Sequence, residues 1–356
     1  FQQFAAARRV ARTIFMGSAP HVAQQRVRGV EDVRIRLGVL EPDEPVAVFN
    51  DSLGHLDDRL TYLYSGNQRH WYDTHPNLRR TADDRAAQLP AHEVEEEIRQ
   101  RLLQVRERGD FRAVHVCPTS ADVPDEQRAR LVVLGPTQTH RHGRADSAAL
   151  EAARDILERR GNSPRIARNM LVFVAPDEEG AKALDREVRT FMAWSSIARD
   201  DVLNLDRLQS QQAKDAVERA EKTAAMRLQE TYCWLLVPSQ QGTEPWAWEA
   251  IRLGGGDGFP VRASRKLQGS GQLIGRWSPA LLKMELDQWL WKEARHLSTK
   301  QLWDYLCTYG YLSRLVDEGV LTAAIAEGVR SRDYFGYAAS VGQQGRYEGL
   351  AFGAAI

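Results

Sequence analysis

At 356 residues the chain is long enough to bury a large core, and its length favours two or three domains. Its 48 Lys and Arg balance its 48 Asp and Glu, so no global basic field draws it to nucleic acid, and no apolar run reaches the roughly 18 residues of a membrane helix. Three cysteines, Cys117, Cys233 and Cys307, lie far apart, and the first residues are not a signal peptide, which together predict a soluble, cytoplasmic protein with no membrane partner.

The charges are unevenly spread. Residues 1–36 hold Arg8, Arg9, Arg12, Arg26, Arg28, Arg34 and Arg36 against only Glu31 and Asp32, a locally basic amino end. Residues 4–16 read as an amphipathic helix with Phe4, Ala7, Val10, Ala11, Ile14 and Phe15 on one face and Arg8, Arg9 and Arg12 largely on the other. A second helix spans about 46–59, where Phe49, Leu53, Leu56 and Leu60 repeat at three to four residues. The aromatic runs LTYLY (60–64) and RHWYDT (69–74) then flank the turn SGNQ, a hairpin signal. Helix, helix, hairpin is the order of a winged-helix unit, expected over 1–88.

Winged-helix units often set one helix in the DNA major groove and the wing on phosphates. The candidate contacts to double-stranded DNA are Arg69 on the hairpin, Asn77, Arg79 and Arg80 beyond it, and Arg8, Arg9 and Arg12 on the first helix. A second reading makes Tyr62, Tyr64, Trp71 and Tyr72 a small core and leaves the arginines solvated. The acidic Asp51, Asp57 and Asp58 on the helix in the recognition position favour that second reading.

Four short apolar runs follow, each ending in proline: AVHVCP (113–118), LVVLGP (131–136), MLVFVAP (170–176) and WLLVP (234–238). Val, Leu and Phe without polar alternation mark strands buried on both faces, and proline, lacking an N–H for the ladder, stops each one. A helix at 149–159 joins the second run to the third, and over fifty helical-looking residues join the third to the fourth. That is βαβ wiring and predicts parallel pairing. The expected fold is therefore mixed α and β, with a small, mainly parallel α/β sheet domain over 89–258 and a mostly helical module over 259–356.

Within this frame a charged helix at 91–108 precedes the first strand, and about 181–232 forms a helical arm. Its first helix turns Leu184, Val188, Phe191, Met192 and Ile197 inward. Its second is capped from 204–206 and carries the pairs Asp215/Arg219 and Glu218/Lys222. Residues 246–253 extend the sheet, Pro279 and Ser298 open helices, and the tail 332–356 packs as hairpins.

Ligands of such sheets sit beyond the carboxyl ends of the strands. The groups placed there are Asp177 and Glu178 after the third strand and His140 and His142 in the loop TQTHRHG after the second. Convergence of these four would make an acid–base or metal enzyme; without it the loop is plain surface, and two histidines without a nearby Cys or carboxylate do not complete a metal set. The chain has no GxxxxGK[ST], and GGGDG at 254–258 lacks the lysine and a clear following helix. No catalytic residue, metal site or cofactor is assigned to the chain itself.

Taken in order, RRVARTIFMGSAP, IRLG (35–38), YLYSGNQRHWYDTHPNL, RNMLVFVAPDE, CWLLVP and LWDYLCTYGYL resemble the carboxyl-terminal half of large prokaryotic AAA+-like ATPases labelled domain of unknown function 499. The resemblance spans nearly the whole chain. It implies a P-loop ATPase encoded in phage-defence clusters beside DNA methyltransferases and helicases, whose Walker motifs, ATP and Mg belong to an upstream module with no matching position here. It also implies that module and defence-system subunits as partners. The sequence starts without methionine, inside a helical pattern, and reads as part of a longer protein. The expectation is a non-catalytic interaction region; the alternative is an enzyme at the strand ends.

Overall fold

A computed structural model describes residues 2–18, 29–42, 44–60, 62–73, 77–242, 244–291, 296–331, 334–341 and 347–349. The chain divides into two compact units, residues 1–90 with 186–223 and residues 91–185 with 224–356.

The first unit begins with α1 (Gln2–Ser18), β1 (Val30–Glu31), α2 (Asp32–Val39), α3 (Val46–Arg59), β2 (Leu63–Gly66) and β3 (Arg69–Tyr72), its sheet ordered β1-β3-β2. This is a winged-helix-like arrangement with a short strand and a helix added to the elements expected. The hairpin closes through Asn67 (φ 52°) and Gln68 (φ 58°), both left-handed, the two-residue turn whose twist matches the strands. The core gathers Ala6, Val10 and Ile14 of α1 with Ile35, Val39, Phe49, Leu53 and Leu63. The buried stripe of α1 thus runs at 6, 10 and 14, and Phe15, expected inward, is 61% exposed with its ring edge on Tyr72. The side chain of Phe4, and Arg26 and Arg28, lie outside the described residues.

After α4 (Leu78–Gln88), the second unit runs α5 (Ala91–Leu103), β4 (Ala113–Val116), β5 (Arg130–Val133), α6 (Ala148–Glu158), a tight β6 (Arg159–Arg160) and β7 (Ser163–Pro164) pair, and β8 (Leu171–Ala175). Then come α7 (Glu178–Ala198), α8 (Arg207–Thr231), β9 (Trp234–Ser239) and β10 (Ala247–Arg252). The five-stranded sheet has the order β10-β9-β8-β5-β4. β4, β5 and β8 are parallel, as expected, but β9 runs antiparallel to β8 with Leu236 opposite Phe173, and β10 antiparallel to β9. The reversal has a simple cause. One helix carries a chain across a sheet, whereas two bring it back. The Asp177 N–H donates to the Thr231 carbonyl at 2.8 Å, so β9 starts at the end where β8 stops. Leu150, Ala153 and Leu157 of α6 pack on Val132, Phe173, Trp234 and Leu236 of the sheet.

The paired helices are not a free arm. Ala193 and Ile197 of α7 and Ala213 of α8 form a core with Leu78 and Ala82 of α4 inside the first unit, where Arg85 also pairs with Asp200. Asp206 caps α8, accepting from Gln209 N at 2.7 Å, and Lys222 meets Glu218 at 2.6 Å, whereas Asp215 accepts from Gln211.

The last stretch is helical: α9 (Phe259–Gly269), which follows GGGDG directly and corrects the expectation of no helix there, then α10 (Pro279–Trp289), α11 (Thr299–Thr308) and α12 (Glu318–Ser331). Ser278 and Ser298 cap α10 and α11. A small hairpin, β11 (Ser340–Val341) with β12 (Tyr347–Glu348), represents the tail, whose other predicted hairpin residues lie largely outside the described ones.

Of the five arginines buried among the described residues, all in the second unit, three are held by main-chain carbonyls. Arg165, 1% exposed, donates to the carbonyls of Ile156, Pro124, Val123, Ser120 and Arg159. Arg314 reaches those of Asn169, Gln272 and Pro238, and Arg262 those of Gln229 and Tyr232. Burial lowers all three pKa values, that of Arg314 to about 10, still far above neutrality, so each remains a cation held by carbonyl dipoles. No helix among the described residues is long and apolar enough to cross a membrane.

Candidate functional site

At the carboxyl end of β8, Pro176 stops the ladder and Asp177 opens α7. One carboxylate oxygen accepts from Gly180 N at 3.0 Å, an N-terminal cap, and the other from the indole Nε1 of Trp234 at 3.0 Å. The loop after β5 is pinned beside it: His140 N donates to the Pro176 carbonyl at 2.9 Å and Glu178 N to the His140 carbonyl at 3.1 Å. His140 is 2% exposed, with Nδ1 2.9 Å from Oγ of Ser147, the residue that caps α6. The His140 ring stands edge-on to Trp234 with centroids 5.2 Å apart, His142 stacks on the same indole at 5.9 Å, and the Arg252 guanidinium lies 5.8 Å from it. Three of the four expected groups, His140, His142 and Asp177, therefore do converge, and Trp234 organises them. Glu178 faces Lys182 at 3.8 Å. Its place in an apolar run marks the indole as strand core; its N–H, which needs an acceptor when buried, is the signal for the rest.

The electrostatics of this cluster are those of a closed structure. Burial lowers the His140 pKa against the opposing pull of Asp177, so the ring is neutral at pH 7. Burial pushes the Asp177 carboxyl up, but the N–H of Gly180, the indole and the charge of Arg252 outweigh it and hold the group below its ordinary value. A carboxylate so stabilised is a weak base. It also occupies the N-terminus of α7, where backbone N–H groups would otherwise receive a phosphate. Burial raises the thiol of neighbouring Cys233, the opposite of what a nucleophile needs. Among the described residues no group of three His, Cys, Asp or Glu is disposed to hold a metal ion. At GGGDG, Asp257 pairs with Arg265 and Phe259 N donates to the side chain of Gln229.

One further strand end is unusual. Cys117, directly after β4, has φ 47°, a left-handed conformation that glycine and asparagine adopt more readily than cysteine, and burial pushes its thiol up to about 11.

The winged-helix-like unit commits half of its candidate cations, Arg9, Arg69 and Arg80, to its own fold. Arg9 meets Glu41 at 2.7 Å and Glu44 at 2.5 Å and lies over the Phe49 ring. Arg69 meets Glu31 at 2.5 Å and the Gly29 carbonyl at 2.7 Å. Arg80 donates to the Asp57 carbonyl at 2.9 Å, and Asn77 caps α4 by accepting from Arg80 N. Arg8, Arg12 and Arg79 are exposed and form no ion pair among the described residues. On α3 the exposed residues include Asp51, His55 and Arg59. A second acid there, Asp57, accepts from Ser65 and stands 3.7 Å from His70, whose second nitrogen meets Asp32 at 2.9 Å, while the side chain of Asp58 lies outside the described residues. Tyr64 stacks on Trp71 at 5.8 Å, and the wing tip from Ser65 to Gln68 is exposed and uncharged.

Compared with family models, with curated proteins and with solved structures, the chain finds no match.

Proposed function

We propose that the chain is a non-catalytic interaction region of a larger AAA+-like ATPase of prokaryotic phage defence, with the winged-helix-like unit as a docking module for partner subunits. The observation that carries the non-catalytic reading is Asp177: its carboxylate fills the helix terminus that a phosphate would use, and both oxygens are taken by N–H donors of the same chain. The ATPase context rests on the resemblance of the quoted segments, and ATP and Mg would be held upstream. Protein is favoured over duplex DNA as the partner because Arg9, Arg69, Asn77 and Arg80 are committed to the fold, leaving Arg8, Arg12 and Arg79 for phosphates. Assaying the purified chain for ATP hydrolysis, alone and with the upstream module supplied in trans, tests this. No turnover alone, with altered turnover of the upstream module on mixing, is the expected result; turnover by the chain alone that Asp177→Asn abolishes would overturn it.

A second reading, acid–base chemistry at the strand ends, is favoured by the convergence of His140, His142 and Asp177 on Trp234. It requires an activity lost in His140→Gln while the melting transition is retained.

A further inference from the structure

The sheet of the second unit has two edges, and they differ. β4 is four residues long and half-buried throughout, whereas β10 is six residues long, with Ala247, Glu249, Ala250 and Arg252 exposed. The ladder fixes which backbone groups of β10 face outward. Leu253 N donates to the Cys233 carbonyl at 2.7 Å, and the register pairs Ile251 with Leu235, Glu249 with Val237 and Ala247 with Ser239. Hydrogen-bonded pairs alternate in an antiparallel ladder, so these residues bond inward and Trp248, Ala250 and Arg252 present N–H and C=O outward. Pro238 opposite Trp248 agrees, since a proline fits a pair that exchanges no bond with its neighbour. No strand, side chain or loop among the described residues bonds to that outer edge. The strand carries no proline or lysine, two of the devices that block exposed edges, and its charges are one Glu and one Arg.

We infer that β10 is an association strand that pairs antiparallel with β10 of a second copy of this chain, about a two-fold axis at Ala250. The inference goes beyond the function proposed above and does not depend on it. A second copy is singled out by self-complementarity. With Ala250 facing Ala250 of the other copy, the only outward-facing partners left are Trp248 opposite Arg252, twice over. An indole beside a guanidinium on one face of a sheet is an attractive cross-strand pair. Glu249 falls opposite Ile251, so no like charges meet directly, and Glu249 is already held by Gln272 at 2.5 Å. The small side chain of Ala250 sits on the axis, where the two copies bring identical residues face to face. Three such pairs give roughly six main-chain hydrogen bonds and a sheet continuous across both copies.

The test uses the full chain in sedimentation velocity over a concentration series. The expected result is a monomer–dimer equilibrium, weakened at least about tenfold by Ala250→Pro, which removes the outward N–H at the axis but no inward bond. Should that variant lose its native circular dichroism, a cysteine pair decides. Ala250→Cys is expected to form an intermolecular disulfide under mild oxidation, because directly opposed Cα atoms stand about 5.5 Å apart. Glu249→Cys, facing Ile251, is expected not to. A chain that stays monomeric at every concentration overturns the inference. So does a dimer indifferent to Ala250→Pro whose Ala250→Cys form does not cross-link, or a monomer whose β10 takes up an extended peptide instead.

Discussion

The two units differ in how deeply they bury arginine: among the described residues every buried one lies in the second unit. In the winged-helix-like unit, Arg9, Arg69 and Arg85 meet the carboxylates of Glu41, Glu44, Glu31 and Asp200 at partly exposed positions. In the second unit, Arg165, Arg262 and Arg314 are buried against main-chain carbonyls; the Asp125 carboxylate, 3.8 Å from Arg165, is itself bonded to the N–H groups of Ile166 and Ala167. Exposed ion pairs are screened by salt and individually contribute little, whereas a buried cation that satisfies several carbonyls cannot be removed without orphaning them. A chain of zero net charge therefore carries two kinds of electrostatics, one tunable by the solvent and one sealed from it.

The largest effect should come from the sealed kind. Arg165→Met leaves five carbonyls without their donor and is expected to cost at least about 3 kcal/mol, read as a lower urea midpoint. The loss should be the same in low and high salt; a loss that salt erases would collapse the contrast. Next comes Asp177→Ala, which removes a helix cap and an indole acceptor together, about 1–2 kcal/mol. Because folding lowers this carboxyl, its contribution is complete above about pH 4 and disappears as pH falls through the folded value, so Asp177→Asn should flatten the acid limb of the stability profile.

A third, smaller effect concerns Cys117, whose thiol folding raises to about 11. At pH 8 its reaction with a thiol reagent should run about 100-fold slower than that of the unfolded chain. Folding raises this acid's pKa, so its linkage has the opposite sign: stability falls between about pH 9 and 11, and Cys117→Ser should remove that fall. The smallest effect is expected at Arg79, exposed and without an ion pair among the described residues. Arg79→Ala should shift the melting free energy by less than about 0.5 kcal/mol, and, if duplex DNA is bound at all, flatten the log K against log salt slope by about 0.9. Equal stability losses from Arg79→Ala and Arg80→Ala would contradict the placement of Arg80 on Asp57.

Much of the fold could be read from residue patterns. The strands were visible because Val, Leu and Phe run unbroken, although Pro238 lies inside β9, opposite Trp248, and does not stop it as expected, and α3 because Phe49 and Leu53 repeat on one face. The direction of β9 was hidden, because the length between strands does not say whether it holds one helix or two. α2 was hidden for another reason: Val33, Ile35, Leu37 and Val39 alternate with Arg34, Arg36 and Gly38, the period of a strand. It folds as a helix that buries Ile35 and Val39 and leaves Val33 59% and Leu37 76% exposed. The cluster at the strand ends was half legible. His140, His142 and Asp177 were marked by residue type, but their organiser, Trp234, sits inside an apolar run. The buried arginines were not legible, since Arg314 in LSRLV gives no sign that its partners are the carbonyls of Asn169, Gln272 and Pro238.

The outer halves of α7 and α8 belong to the first unit, which also sets an order in time. Leu78 and Ala82 of α4 are buried by Ala193, Ile197 and Ala213, and 95 residues, 91–185, are synthesised between the two halves of that unit. At roughly 5–20 residues per second the ribosome needs about 5–20 s before it begins the missing half. During that interval the nascent winged helix carries an apolar seam with nothing to close it, and a polypeptide cut after Pro90 would carry it permanently.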